Sequence, residues 1–183
     1  LHIARSRNDL SAAVDRLRMR EILLELLDAA ASLRRTLITR GDAFAEVVMP
    51  GYTHLQPAQP ITFGFYLTGL ASALERDAAR LLDAWPRLNL SPMGAAALAT
   101  TTFPVDRALT ARLLGFDGVL EHALDCVASR DFSVEIVAAA AQMSLTLSRF
   151  AEDMHVAVSH EFSSVEFPDS VCGTSSIMPQ KKN

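Results

Sequence analysis

The chain has 183 residues, half of them hydrophobic, a net charge of −4 and a sequence pI of about 5.7. That length supports one domain with its own core, and the lack of a basic block argues against nucleic acid as a partner. A mean hydropathy of +0.20 suits a subunit that buries apolar faces against other copies.

The chain opens on "LHIARSRNDL", where Arg5, Arg7 and Asp9 break any signal-peptide pattern. It enters a helical pattern at once and ends on a polar run, so both ends read as cut. From residue 9 to residue 37, Met19, Ile22, Leu23, Leu26, Leu27, Ala30, Leu33 and Leu37 recur at three- and four-residue steps and predict a helix. "MPGYTHLQPAQP" follows, with three prolines and a glycine in twelve residues, and predicts a loop. Positions 47–74 lack Asp, Glu, Lys and Arg, but Pro50, Pro57, Pro60 and His54 interrupt the run, so no membrane span is expected.

A second helix is predicted over residues 62–85, striped by Phe63, Leu67, Leu70, Leu74, Leu81 and Leu82 and ended by Pro86. "LSPMGAAALATTTFP" reads as irregular. A short helix over 104–114 with Gly115 past its end comes next, then a turn near 121–127. The last helix, over 131–160, is apolar nearly all round between residues 136 and 147, which predicts burial on several sides of a bundle. No strand is predicted. The fold class is all-α, a bundle of long helices joined by polar loops.

Three loops carry groups that catalysis uses. "ARSRND" places Arg5, Ser6, Arg7 and Asn8 at a helix N-terminus, where backbone N–H groups favour an anion; a capped, solvated helix start is the plainer reading. "GYTHLQ" offers Thr53 and His54, a group that titrates near neutrality, although a lone loop histidine is more often structural. "GTSSIMPQKKN" offers Ser175, Ser176, Lys181, Lys182 and Asn183, as a serine base or nucleophile beside lysines or as an incidental basic end. No metal-ligand spacing and no nucleotide loop is present in the sequence. Cys126 and Cys172 are expected to be reduced thiols of a cytoplasmic protein.

Taken together, these segments resemble the aspartase/fumarase superfamily and, within it, the argininosuccinate lyase family. "SSIMPQKKN" resembles the superfamily signature, a Gly-Ser-Ser-x-Met-Pro-x-Lys-x-Asn loop. "ARSRND" and "PGYTHLQPAQP" resemble the lyase versions of the other two conserved regions, and "FAEDM" and "VDRALTARLLGF" fit as well. The resemblance covers essentially the whole chain, residues 1–183, as a partial domain from the middle of a longer protein that stops at the signature loop.

The resemblance implies a homotetramer with a central helical core and active sites that each draw one region from three subunits. It implies a small-molecule substrate, argininosuccinate, split reversibly into arginine and fumarate, with no cofactor. Carried over by motif, Ser175 is the base, Lys181 stabilises its alkoxide, and His54 either assists proton transfer or holds the acid's hydrogen-bond chain. Ser6, Arg7, Asn8, Thr53 and Asn183 bind substrate. Two positions depart from the pattern: Thr174 stands at the signature glycine, with Gly173 displaced by one, and Ala96 stands where glycine is common. They leave open a sister carbon–nitrogen lyase acting on another N-substituted aspartate. A non-catalytic structural protein recruited from the family is the other alternative.

Overall fold

The computed structural model describes residues 2–182. Three long helices dominate: α1 (Arg7–Ala43), α2 (Phe63–Asp83) and α6 (Asp131–Ala157), with short helices α3 (Trp85–Leu88), α4 (Arg107–Leu113) and α5 (Ala123–Ala128) between the last two. The predicted all-α class therefore holds. Its boundaries shift: α1 begins earlier and runs longer than its apolar stripe, and α6 stops short of residue 160. Pro86 does not terminate α2 from within. The helix has ended at Asp83, and Pro86 occupies the first turn of α3, where its missing N–H costs nothing.

The core is a seam with a seven-residue beat. Leu23, Ala30 and Leu37 of α1 face Leu67, Leu74 and Leu81 of α2, and Leu88 continues the second row. A strict seven-residue repeat keeps one face turned to a neighbour over the whole length of a helix. Phe132, Ile136, Ala139 and Met143 of α6 close the seam from the side of α2. Two hydrogen bonds set α6 antiparallel to α2: Thr146 Oγ1 donates to Asp77 Oδ2 at 2.6 Å, and Tyr66 Oη to Asp153 Oδ2 at 2.9 Å. Burial and the bond to Asp153 raise the Tyr66 phenol above its ordinary range, so it stays a donor.

Burial on several sides of α6 is not achieved within one chain. Ile136, Ala139 and Met143 are buried against α2, whereas Val134, Val137 and Leu145 are exposed.

The predicted loop at 49–60 is instead a β-hairpin, β1 (Val48–Thr53) and β2 (Gln56–Thr62), paired antiparallel. The prolines argued against strands, but the register accommodates them. The Phe63 N–H donates to Val47 O at 2.8 Å, and alternation from that pair puts Pro50 opposite Pro60 at a non-hydrogen-bonded position. Neither residue needs a donor there. Gly51 sits at the register shift, where a Cβ would lie 2.9 Å from Gln59 O. A minimal parallel pair, β3 (Leu90–Ser91) and β4 (Gly118–Val119), ties the irregular stretch to the segment after α4.

The backbones of α1 and α2 approach closely where Gly41 faces Gly64. A Cβ on Gly64 would lie 2.3 Å from Gly41 O and 3.0 Å from Ala45 N and Cα, all of them backbone. Gly64→Ala is expected to cost about 1–3 kcal/mol through overpacking, read as a lower urea midpoint of the intact protein. Gly41→Ala meets a side-chain methyl first, Thr68 Cγ2 at 2.8 Å, and is expected to cost less.

Candidate active site

The head of α1 is the first predicted region. Ser6 is the N-cap, and its Oγ accepts from Asn8 N–H at 3.2 Å. That leaves the hydroxyl proton of Ser6 able to donate to a ligand carboxylate. Arg7 and Asn8 are exposed on the first turn. Asn8 Nδ2 donates to Ala97 O at 3.0 Å, which fixes the amide against the irregular stretch after β3. A cavity of about 380 Å³ opens beside this turn, lined by Ile3, Arg5, Leu10, Val14, Gly94 and Leu113.

Sequence reasoning missed Asp9, treating it as a charge at the chain's head. Its carboxylate is fully buried. Oδ1 accepts the Ser6 N–H at 3.0 Å, completing a capping box, and Oδ2 accepts from Gly94 N–H at 3.2 Å and Ala96 N–H at 3.0 Å. The Ser-x-x-Asp spacing was the available signal.

The second region forms the hairpin tip. Thr53 pairs with Gln56, and His54 and Leu55 make the two-residue turn, with φ of 53° and 59°. Both lie in the left-handed region that Asn-Gly usually fills in such turns, so His54 is held in an unfavourable backbone state by the register on either side. Its side chain is exposed.

The third region follows α6. Ser175 Oγ accepts from Met178 N–H at 3.2 Å, and Lys181 N–H donates to Met178 O at 2.9 Å, so the signature folds back on itself. A bridge between Thr174 and Lys182 closes it. Among the described residues, Lys182 rather than Lys181 makes the loop's ion pairs, to Asp169 at 2.8 Å and Glu166 at 3.1 Å. These bonds raise the Lys182 ammonium above its ordinary range, Asp169 contributing first, and lower the Asp169 carboxyl. The Lys181 side chain is exposed, and Asn183 lies outside the described residues.

These regions do not converge within one chain. α1 has 37 residues. At about 1.5 Å per residue it separates Ser6–Asn8 from the hairpin by about 55 Å. The hairpin and the segment after α6 share the far end. Tyr52 packs edge-on against Phe162 with ring centroids 5.2 Å apart, over a cavity of about 330 Å³ that Thr53, Tyr66 and Asp153 also line. The structure thus brings the second and third regions to one end and leaves the first at the other.

The irregular stretch departs from the family pattern at a position that has a backbone consequence. Ala96 has φ of 53°, in the left-handed region that favours glycine. Gly94, at φ of 85°, has Arg107 Cγ 2.5 Å from where a Cβ would stand. The Arg107 guanidinium donates to Met93 O and Leu120 O, so it has little room to yield. Among the described residues, no cluster of three or more His, Cys, Asp or Glu is arranged to hold a metal ion, and no helix is long and apolar enough to cross a membrane. Cys126 and Cys172 are free thiols, the first buried.

A family model described as "Lyase" matches residues 1–183. A protein named argininosuccinate lyase 1 from Shouchella clausii is 49% identical over all 183 residues, and an argininosuccinate lyase from Natronomonas pharaonis is 52% identical. The chain spans 37% of the length of each of these two relatives. Among solved structures, EDDS lyase in complex with formate superimposes with a TM-score of 0.97 at 39% identity, across all of this chain and 37% of that one. A fumarate lyase:delta crystallin from Brucella melitensis bound to cobalt gives 0.85 at 25% identity, across all of this chain and 42% of that one.

Gly94→Ala is expected to lower the thermal midpoint of the intact protein, because it adds both strain and a clash. Ala96→Gly is expected to raise it slightly, since relief of about 1–2 kcal/mol of left-handed strain is only partly offset by about 0.5–1 kcal/mol of glycine entropy. Paired thermal melts check both.

Proposed function

The chain belongs to the lyase family, and from that membership we propose that the intact protein is an argininosuccinate lyase, releasing fumarate and arginine from argininosuccinate in arginine biosynthesis. The observation that carries this reading is 46–52% identity over the whole chain to proteins of that name, against 39% to EDDS lyase.

The reaction transfers one proton from carbon to nitrogen and moves two electron pairs, the C–H pair into the double bond and the C–N pair onto the departing nitrogen. A base removes the proton from the carbon beside a carboxylate, and the charge gathers on that carboxylate. The pair then forms the carbon–carbon double bond as the C–N bond breaks, and the departing nitrogen takes a proton. Such a path needs a base, donors around the charged carboxylate and an acid.

Ser175 is the base in this reading. Its Oγ already accepts the Met178 N–H, a bond that strengthens as the oxygen gains charge, and Lys181 adds a cation when the loop closes. Ser6, Arg7 and Asn8 hold the carboxylates, Thr53 and Asn183 contact substrate, and His54 assists proton transfer. The roughly 55 Å between the first region and the other two favours sites that combine regions from different subunits; the family resemblance adds that the assembly is a homotetramer in the cytoplasm, with three subunits contributing to each site. The exposed Val134, Val137 and Leu145 of α6 supply an apolar face for that assembly.

In the intact protein, Ser175→Ala is expected to lower kcat by about 10²–10⁴, while Ser176→Ala costs much less. Fumarate release, followed by ultraviolet absorbance with argininosuccinate, adenylosuccinate, aspartate and malate offered in turn, checks base and substrate together. Equal losses in the two variants leave the base unassigned, and an active Ser175→Ala transfers the role to His54.

Val137→Glu is expected to disrupt the tetramer by burying an unpaired charge between copies, while leaving the chain's own core intact. Light scattering that shows an unchanged tetramer removes α6 from the interface.

A further inference from the structure

We propose that Asp9 is a positioning residue for substrate binding, which acts by fixing the irregular stretch at 92–100 against the head of α1. This inference rests on the lyase reading above and on the first region's role in it.

Asp9 has no exposed surface, and its acceptors serve two segments: the start of its own helix at Ser6, and Gly94 and Ala96, which lie 85 and 87 residues further along the chain. Oδ1 holds the Ser6 N–H at 3.0 Å, and Oδ2 holds the N–H groups of Gly94 and Ala96. All three donors are backbone, and all three point inward to one carboxylate. A carboxylate is the side chain that offers only acceptors on both oxygens. An amide of the same shape turns one acceptor into a donor and sets it against an N–H.

The stretch that Asp9 holds then sets Asn8. Ala97, next to the captured Ala96, presents its carbonyl to Asn8 Nδ2 at 3.0 Å. Ala96 keeps its left-handed conformation, and Thr100 N–H closes the turn on Ala95 O at 2.9 Å. Two of the three groups assigned to the carboxylates are therefore set by one buried side chain. Ser6 is set through its own N–H, and Asn8 through Ala97. Asp9 is enclosed and stays out of contact with substrate. A displacement of about 1 Å in such supports can cost about 10²-fold in rate, which is the scale on which the role matters.

The test uses the intact protein and steady-state fumarate release, with assembly followed by light scattering. Asp9→Asn is expected to keep the tetramer and to raise KM for argininosuccinate by about tenfold or more, with a smaller fall in kcat. Asn8→Ala removes the group that Asp9 sets through Ala97. On that background Asp9→Asn is expected to add well under its full factor, because coupled residues are not additive. A KM within about twofold of wild type, or a full additive loss on the Asn8→Ala background, overturns the role. If Asp9→Asn fails to assemble, Asp9→Glu replaces it. That variant keeps the charge, moves the oxygens by one methylene and is expected to raise KM in the same sense; an unchanged KM overturns the proposal. A wild-type protein that releases no fumarate overturns the lyase reading and this role with it, whereas an active wild type with an indifferent Asp9 overturns the role alone.

Discussion

One face of α1 carries the rest of the molecule. Asp9, Arg16, Leu23, Ala30 and Leu37 stand seven residues apart, and all five are buried. The C-terminal three are apolar and meet the leucine row of α2. The first two carry charges, and what they face is main chain. Arg16 donates to the carbonyls of Arg87 and Leu88 at 2.7 and 3.0 Å, and Asp9 accepts the amides of Gly94 and Ala96. A single seam therefore changes partner chemistry along its length without leaving its face. Where α2 runs alongside, leucine meets leucine. Where α2 has ended and the chain crosses the seam as the short helix α3 and the irregular stretch after it, α1 supplies hydrogen bonds that their main chain lacks. Among the described residues, no carboxylate is bonded to Arg16. It lies over the Phe132 ring at 4.1 Å, and burial lowers its pKa.

The long helices were legible because their apolar stripes follow the period of a helix packed on one side. α2 and α6 are read within a few residues, since Thr62 and Asp131 mark their starts and the stripes run unbroken. The hairpin was not legible. Its strands hold three prolines, and its turn is His-Leu rather than Asn-Gly, so local propensity argued against it at nearly every position. Pairing decided the matter: Pro50 and Pro60 face each other at a register position where a missing donor is harmless. The seam's polar head was hidden for the same kind of reason. A search for apolar periodicity stops at Met19, and the burial of Asp9 and Arg16 follows from carbonyls at the end of α3 and from loop amides, all far away in sequence.

The site's residues were legible as types and motifs, while their placement was not. Composition brings Ser6, His54 and Ser175 to notice; only the rod between the first two shows that one copy cannot unite them. The structure also divides the three regions by rigidity. The first is tied to buried groups, the second is held by strand pairing at a strained turn, and the third rests on exposed ion pairs, which salt screens. Under the proposed roles, rigid binding groups and a loosely held base loop suit a reaction in which substrate must enter before the base is brought to it.

The length of α1 has an evolutionary consequence. Surface loops gain and lose residues freely, but a rod that sets the distance between two functional ends does not. One added or lost residue turns everything beyond it by about 100°, which takes the leucines off the seam. A change of seven restores the face yet displaces one end by about 10 Å relative to the other. No small change in length spares both face and distance, so α1 acts as a gauge block. Variation in such a protein is expected to accumulate by substitution along the rod and by indels elsewhere.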